Sequence, residues 1–286
     1  MVEIVILILN YKTYQDTIRV TNEFLRTNRT DYKIIIVDNS SPNDSFSILE
    51  SEFGTNIAVD VIQSPENGGY AKGNNYGLRY AKKYSPKFVC IINNDVHFSW
   101  NTIQSLCYNY EKLDNPAIIA PIQLLPGGIN PNFSILKVPD LIYDLRLNTF
   151  LFKPKLHVYE SNTRWSNVQK VGYIPGAFLF TNYNVFEYLG FFDEGTFLFC
   201  EERFTAKAVQ KAGLFNYLIL DLEYVHEHSK TISKESSKRN QRKMIQEGRE
   251  LYHKRYSKYP LLSILLLRIV FYIHEFELTV LSLLKK

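Results

Sequence analysis

The sequence is poor in cysteine: Cys90, Cys107 and Cys200 are the only three in 286 residues. They are odd in number, far apart, and form no CxxC pair. That excludes a disulfide framework and a cysteine zinc site, and fits a reducing compartment. Phosphate signatures are missing too. The glycine-rich stretch "ENGGYAKGNN" is followed by no Gly-Lys-Ser/Thr and is not GxGxxG, so it is neither a P-loop nor a dinucleotide fingerprint. "LNYKTYQD", after the first apolar run, has no glycine, which argues against a nucleotidyltransferase. A signal-peptide pattern is absent: Glu3 stands where a basic region belongs, and the run stops at Asn10 without a small-residue cleavage site. That run reads as a first buried strand. No internal repeat or low-complexity tract occurs. The apolar run Leu261 to Ile273, with Arg268 inside it, is about 20 Å long as a helix. A hydrocarbon core is roughly 30 Å thick. His274, Glu275 and Glu277 follow and make a crossing costly.

What is plentiful is aromatic: 20 Tyr and 19 Phe, which supply core and platform surface and are compatible with a sugar-stacking site. The net charge of +4 is uneven, with ten Lys/Arg against three Glu between Lys230 and Lys258. An apolar tail follows directly, a membrane-surface pattern. The tail reads as an interfacial helix, or as one packed on its own domain or on a dimer partner. The basic stretch carries no recognisable nucleic-acid motif, and no nucleic-acid partner is expected.

The first hundred residues alternate between β-rich runs and helical spacing. "VEIVILILN", "YKIIIVDNSS", "AVDVIQS" and "KFVCIINNDV" read as strands. "TYQDTIRVTNEFLRTN", "DSFSILESEF", "GYAKGNNYGLRYAKKY" and "SWNTIQSLCYNYEKL" read as helices, the last capped by Ser99. Such alternation predicts an α/β fold, a mostly parallel sheet wound by right-handed crossovers. Ligands bind beyond the carboxyl ends of such strands. Those ends here are polar: Asn10, Asp38-Asn39-Ser40, the loop from Ser64 to Gly69, and Asn93-Asn94-Asp95. "AIIAPIQLL" and "YLILDLEYVHEHS" are later strands, and Phe133 to Lys170 reads as a variable insertion shaping a cleft.

In order and spacing, "ILNYK", "IIIVDNSSPNDS", "ENGGYAKGNNYGL", "IINNDV", "GAFLF…FEYLGFFDE", "FLFCEE" and "VHEHS" resemble family 2 glycosyltransferases of the GT-A (Rossmann-like) fold. The likeness is to the bacterial rhamnosyltransferase-like members that build cell-surface polysaccharide such as capsule. It covers roughly Val2 to Ser229. It implies a transferase domain over 1–229, with a nucleotide-binding half (1–115) and an acceptor-binding half (116–229). Residues 230–286 are then a basic linker and an apolar C-terminal helix.

The resemblance assigns Asp38 to the base and ribose of a UDP- or dTDP-sugar, although Asp also starts turns. Asn10, Asn67, Gly68, Gly69, Asn74, Asn94 and Gly176 would lie around the donor. Lys72 reads equally as a phosphate contact or a solvated lysine. Asp95 stands as the carboxylate of a thinned DxD-type motif for Mn²⁺ or Mg²⁺, with His226 as second ligand and His228 as the weaker candidate. Glu202 is expected as catalytic base, with Glu201 orienting or touching the acceptor and Asp193 contacting the acceptor sugar. Phe204 and Ala208 depart from the Asp and Arg common in relatives. A cytoplasmic location on the inner face of the cell membrane, a lipid-linked glycan acceptor and a homodimer complete the expectation. A non-catalytic glycosyltransferase-like subunit is the rival.

Overall fold

The structure, a computed structural model, describes residues 2–27, 30–128, 137–148, 167–227 and 237–284, and only the backbone of Ser282 and Leu284. The candidate His228 and most of the insertion (133–136 and 149–166) lie outside the described residues.

The first half follows the alternation. Strands β1 (Ile4–Asn10), β2 (Tyr32–Asp38), β3 (Val59–Gln63) and β4 (Phe88–Asn93) are separated by helices α1 (Tyr14–Leu25), α2 (Ser45–Phe53) and α3 (Gly69–Ala81). They pair in parallel in the order β3-β2-β1-β4. Their apolar runs are nearly continuous because both faces are covered. Ile4, Ile6 and Ile8 pack with Val20 and Phe24 of α1 and Leu49 and Phe53 of α2 on one face. Val5 and Leu7 pack with Ala71, Leu78 and Ala81 of α3 on the other.

The predicted fourth strand is interrupted. Asn94 and Asp95 form a turn, and the chain resumes as β5 (Val96–His97), which leaves the parallel ladder. Helix α4 (Trp100–Lys112) starts at Ser99, whose hydroxyl accepts from the Asn101 amide at 3.3 Å. Then come β6 (Pro116–Leu124), α5 (Leu141–Leu147), β7 (Val168–Val171), β8 (Phe178–Asn182), α6 (Tyr183–Tyr188), α7 (Glu201–Lys211) and β9 (Phe215–His226). β8 inserts antiparallel between β4 and β6, β9 lies parallel to β6, and β5 and β7 pair antiparallel with β9. The sheet is thus parallel in its first half and mixed in its second.

Two helices close the chain, α8 (Lys238–Tyr256) and α9 (Pro260–Leu284). Leu267 and Phe271 of α9 are buried. Arg268 pairs with Glu250 at 2.7 Å, and Arg242 with Glu275. Among the described residues, no helix is long and apolar enough to cross a membrane.

Helix α3 lies close to the sheet because Gly73 and Gly77, four residues apart, face it. A Cβ at Gly77 would sit 2.4 Å from Leu7 Cδ1 and 2.6 Å from Val37 Cγ2. Overpacking of this kind costs about 1–3 kcal/mol. Gly77→Ala should therefore lower the urea unfolding midpoint at unchanged m-value; an unaltered midpoint would mean that the close approach of α3 is not needed.

Candidate functional site

The carboxyl ends of β1, β2 and β3 are in register: Asn10 is opposite Asp38, and Asp38 opposite Gln63. Asp38 is fully buried. Its Oδ2 accepts from Asn10 Nδ2 at 2.8 Å and from the Ser41 hydroxyl at 2.7 Å. Its Oδ1 accepts from the Ser41 amide at 2.9 Å and from Gln63 Nε2 at 3.2 Å. Four donors fill the four lone-pair sites of a carboxylate. A further hydrogen bond to Asp38 would have to displace one of these four donors. The chain of bonds continues across the sheet. The Thr17 hydroxyl donates to Asn10 Oδ1 at 2.8 Å, and Asn94 Nδ2 donates to Thr17 at 2.9 Å and to the Thr13 hydroxyl at 2.8 Å. Asn10 and Asn94 thus brace the crevice between β1 and β4, where the strand order reverses.

Asp95 and His226 meet. The turn after β4 and the end of β9 are brought together because Val96 pairs with His226. Asp95 Oδ1 lies 3.1 Å from His226 Nε2. Around them, Tyr224 donates to Gln123 Oε1 at 2.8 Å, and Gln123 Nε2 lies 3.3 Å from His226 Nδ1. Arg19 donates to the carbonyls of Asn94 (3.0 Å) and Val96 (3.2 Å), and His97 Nε2 is 2.9 Å from Glu227. A carboxylate oxygen and an imidazole nitrogen placed side by side are donor types that suit a borderline divalent cation such as Mn²⁺. Among the described residues no third His, Cys, Asp or Glu joins them. The pair fits a cation whose remaining ligands are substrate oxygens and water.

The glycine-rich loop is held by the chain itself. Gly69 has φ +83°, and a Cβ there would meet the Phe197 carbonyl oxygen at 2.0 Å. Asn67 Oδ1 accepts from the Gly69 amide at 3.2 Å and from Asn39 at 2.9 Å. Asn74 is buried and donates to the Tyr70 carbonyl at 3.0 Å. A Cβ at Gly68 would crowd Lys72, whose Nζ lies 3.3 Å from Glu66 in an exposed pair.

The two glutamates open α7. The chain reaches them through Phe199 (φ 70°) and Cys200 (φ 68°), two successive residues in the left-handed region, a conformation that costs roughly 1–2 kcal/mol per residue. Helix α8 supports this turn. Gly248 comes so close that a Cβ there would lie 2.8 Å from Cys200 Cβ, and the thiol donates to the Ile245 carbonyl at 3.6 Å. Glu201 is buried beside Gly176, whose carbonyl accepts from the Tyr70 hydroxyl at 2.5 Å. Burial, and then the neighbouring Glu202, push the Glu201 carboxyl up to about 8. Burial also raises Glu202, against the opposing pull of Arg203 and Arg249.

Nothing in the sequence pattern announced the group that anchors α7. Asp144 of α5 is fully buried. It pairs with Arg203 at 2.6 Å, His253 Nε2 at 2.8 Å and Arg249 at 3.4 Å. Burial pushes its carboxyl up, but Arg203, His253 and Arg249 outweigh that and hold it at about 2. Phe204 packs on Tyr252 and Tyr256, with ring centroids 5.6 and 6.1 Å apart. Asp193, the expected acceptor contact, pairs with Arg255 of α8 and accepts from the Gly195 amide at 2.9 Å.

Residues 4–169 match glycosyl transferase family 2, and the chain belongs to that family. The low-salt glycan biosynthesis hexosyltransferase Agl10 of Haloferax volcanii is 28% identical over 198 residues, 69% of this chain and 58% of that protein. The matched region thus spans under two thirds of that relative's length. Among solved structures, GalNAc-T7 with UDP, GalNAc and Mn²⁺ superimposes with a TM-score of 0.63 at 14% identity, over 79% of this chain and 44% of that one. The mannosyltransferase PcManGT of Pyrobaculum calidifontis, with GDP-Man and Mn²⁺, gives 0.59 at 15% identity, over 95% and 70%. The fold is GT-A, as the resemblance implied.

Removing the carboxylate of Asp144 strands two buried guanidinium groups. Breaking a buried ion pair costs about 3–5 kcal/mol, and Asp144→Asn should lose that much unfolding free energy at pH 7. Because the folded carboxyl is held at about 2, its contribution is full above the ordinary Asp range near 4 and fades as pH falls toward 2. The gap between wild type and variant should therefore narrow in acid. A gap below 1 kcal/mol at pH 7 would remove the hub from the account.

Proposed function

We propose that the protein is an inverting, metal-dependent glycosyltransferase. It moves a hexosyl or rhamnosyl unit from a UDP- or dTDP-sugar to a lipid-linked glycan during synthesis of a cell-surface polysaccharide. The observation that carries this reading is the meeting of Asp95 and His226 at 3.1 Å, beside the braced crevice at the strand ends. Family membership supports it, and so do relatives described as a hexosyltransferase of glycan biosynthesis and as proteins holding UDP or GDP-Man with Mn²⁺.

Asp95 and His226 would hold the cation, which supplies positive charge to a diphosphate leaving group. Asn10, Asp38 and Asn94 shape the nucleotide end of the crevice. The loop at Asn67, Gly68 and Gly69, with Lys72 and Asn74 behind it, borders the donor, and Gly176 leaves room above Glu201. Glu202 takes the proton of the acceptor hydroxyl. The hydroxyl oxygen bonds to the anomeric carbon from the face opposite the leaving group, and the bond from that carbon to the diphosphate breaks. Asp193 and Glu201 stand on the acceptor side.

In this reading residues 1–229 form the transferase unit, and 230–286 bring it to the inner, cytoplasmic face of the cell membrane. The supporting feature is one helix face. Leu261, Leu265, Ile269, Tyr272, Phe276 and Leu283 of α9 are all exposed and recur at helical spacing. Exposed Lys254 and Lys258 lie just before them, suited to anionic headgroups.

Two measurements test the proposal. Calorimetric titration with UDP and dTDP, with and without Mn²⁺, should give nucleotide binding that needs the metal. Asp95→Ala should weaken it at least about tenfold, the worth of one pairing of roughly 1.4 kcal/mol. Folded protein that binds neither nucleotide would favour a non-catalytic subunit. Sedimentation with anionic vesicles should carry the protein down and release it in high salt. A concentration-dependent dimer without vesicle binding would assign the α9 face to a second copy.

A further inference from the structure

Glu201 and Glu202 are adjacent, yet their surroundings differ. Both line a small, partly open cavity between α7 and the sheet, with Thr205 and Asn216 as its other polar lining among apolar Ile118, Ile174, Leu179 and Phe192, but of the two acids only Glu201 has a buried oxygen without a partner among the described residues. Two buried oxygens in that lining, Glu201 Oε2 and Asn216 Oδ1, find no hydrogen-bond partner among the described residues. Asn216 is itself buried, and its Nδ2 is committed to the Gly172 carbonyl at 3.3 Å. The cavity has room of about 10 Å³ for a water centre, close to what one water molecule needs.

The Thr205 hydroxyl in the same lining is committed to the Glu201 carbonyl at 3.1 Å, and two acceptor oxygens alone leave each other unsatisfied, which costs roughly 1–3 kcal/mol per group. A proton on Glu201 converts one of them into a donor. The charged groups nearby favour the same arrangement. Glu202 on the same helix repels a charge on Glu201, and the buried hydroxyl of Tyr70, from α3, is a neutral neighbour whose own ionisation is pushed far up by burial and by both glutamates. The Cys200 thiol at the helix start is likewise raised, first of all by burial. Among the described residues, the polar group that the sheet contributes to the lining is the neutral amide of Asn216. Arg203 and Arg249 act on Glu202 while their guanidinium groups are committed to Asp144. Glu202 is also the less buried of the two.

We propose that Glu201 is the uncharged member of the pair, its carboxyl proton directed through one water in that cavity to Asn216 Oδ1, and that this keeps the negative charge on Glu202. Two like carboxylates are thereby driven to different protonation states by their environments. Glu201 is a positioning residue in this account: it holds a proton next to the base and stays clear of the acceptor's own proton. The inference deepens the proposed function, since it rests on Glu202 as the base.

The test reads the resting protein and needs no turnover. With carboxyl-¹³C-labelled glutamate, NMR titration of the wild type should show one side-chain carboxyl with its midpoint near 8. Glu201→Gln should abolish that titration. Asn216→Ala, which removes the acceptor and admits water, should lower its midpoint. Stability should follow the same sign. An acid with a raised folded-state pKa makes stability fall as pH rises from the ordinary Glu range to about 8. The Tm advantage of Glu201→Gln over wild type should therefore grow from pH 5 to pH 8 and then level off. A Tm difference constant with pH, no carboxyl titrating above 6, or a raised carboxyl abolished by Glu202→Gln alone would overturn the proposal. So would a midpoint indifferent to Asn216→Ala. A transferase with unimpaired turnover in Glu202→Gln would instead refute the base assignment, while leaving the Glu201 titration to stand by itself.

Discussion

A buried carboxylate at the end of β2 organises the nucleotide side of this molecule. Asp38 is fully buried, and its two oxygens accept four hydrogen bonds from Asn10, Ser41 and Gln63. Those bonds are directional. Asn94 donates to Thr17, Thr17 to Asn10, and Asn10 to Asp38, with Gln63 and Ser41 donating from the other side. Each donor polarises the next toward the same side chain. The chain of bonds ties β3, β2, β1 and the turn after β4 together at the edge where parallel strands expose their polar ends. Asn94 is its last member, and Asp95 is the next residue. The bonds of Asn94 thus fix the turn beside the candidate metal ligand, whose meeting with His226 comes from the pairing of β5 with β9.

The acceptor side is governed by a different constraint. Helix α7 begins in an unfavourable backbone turn with two acids in its first residues. A helix N-terminus favours negative charge, but the burial of Glu201 opposes it. What holds the arrangement is α8, through Gly248 on Cys200, the rings of Tyr252 and Tyr256 on Phe204, and the Asp144 hub. Phe204 is a docking ring for α8. The C-terminal helices are thus part of the scaffold of the glutamate pair. This also changes the meaning of the basic stretch before the apolar tail. Arg242, Arg249 and Arg255 are spent on Glu275, Asp144 and Asp193, which leaves a smaller set of cations for any outside surface.

The sequence by itself determined the parallel first half. Its strands are short apolar runs and its helices carry regular spacing, both set by neighbours a few residues apart. It also determined that the ends of the first four strands would be polar, and its family resemblance singled out Asp95, His226 and the two glutamates. Only the tertiary structure decided who meets whom. β8 entered antiparallel between β4 and β6, and that pairing is not encoded in any local period. Asn10 bonds Asp38 directly, and Asn94 is linked to Asn10 through Thr17, which lies 77 residues from Asn94 in the chain. Asp144 and His253 lie 109 residues apart in the chain, and a lone Asp in "LIYDLRL" looks like any surface acid. Local pattern reports which groups must be buried or satisfied. Which distant group satisfies them is settled by packing, because a buried charge takes the nearest partner that the folded chain supplies.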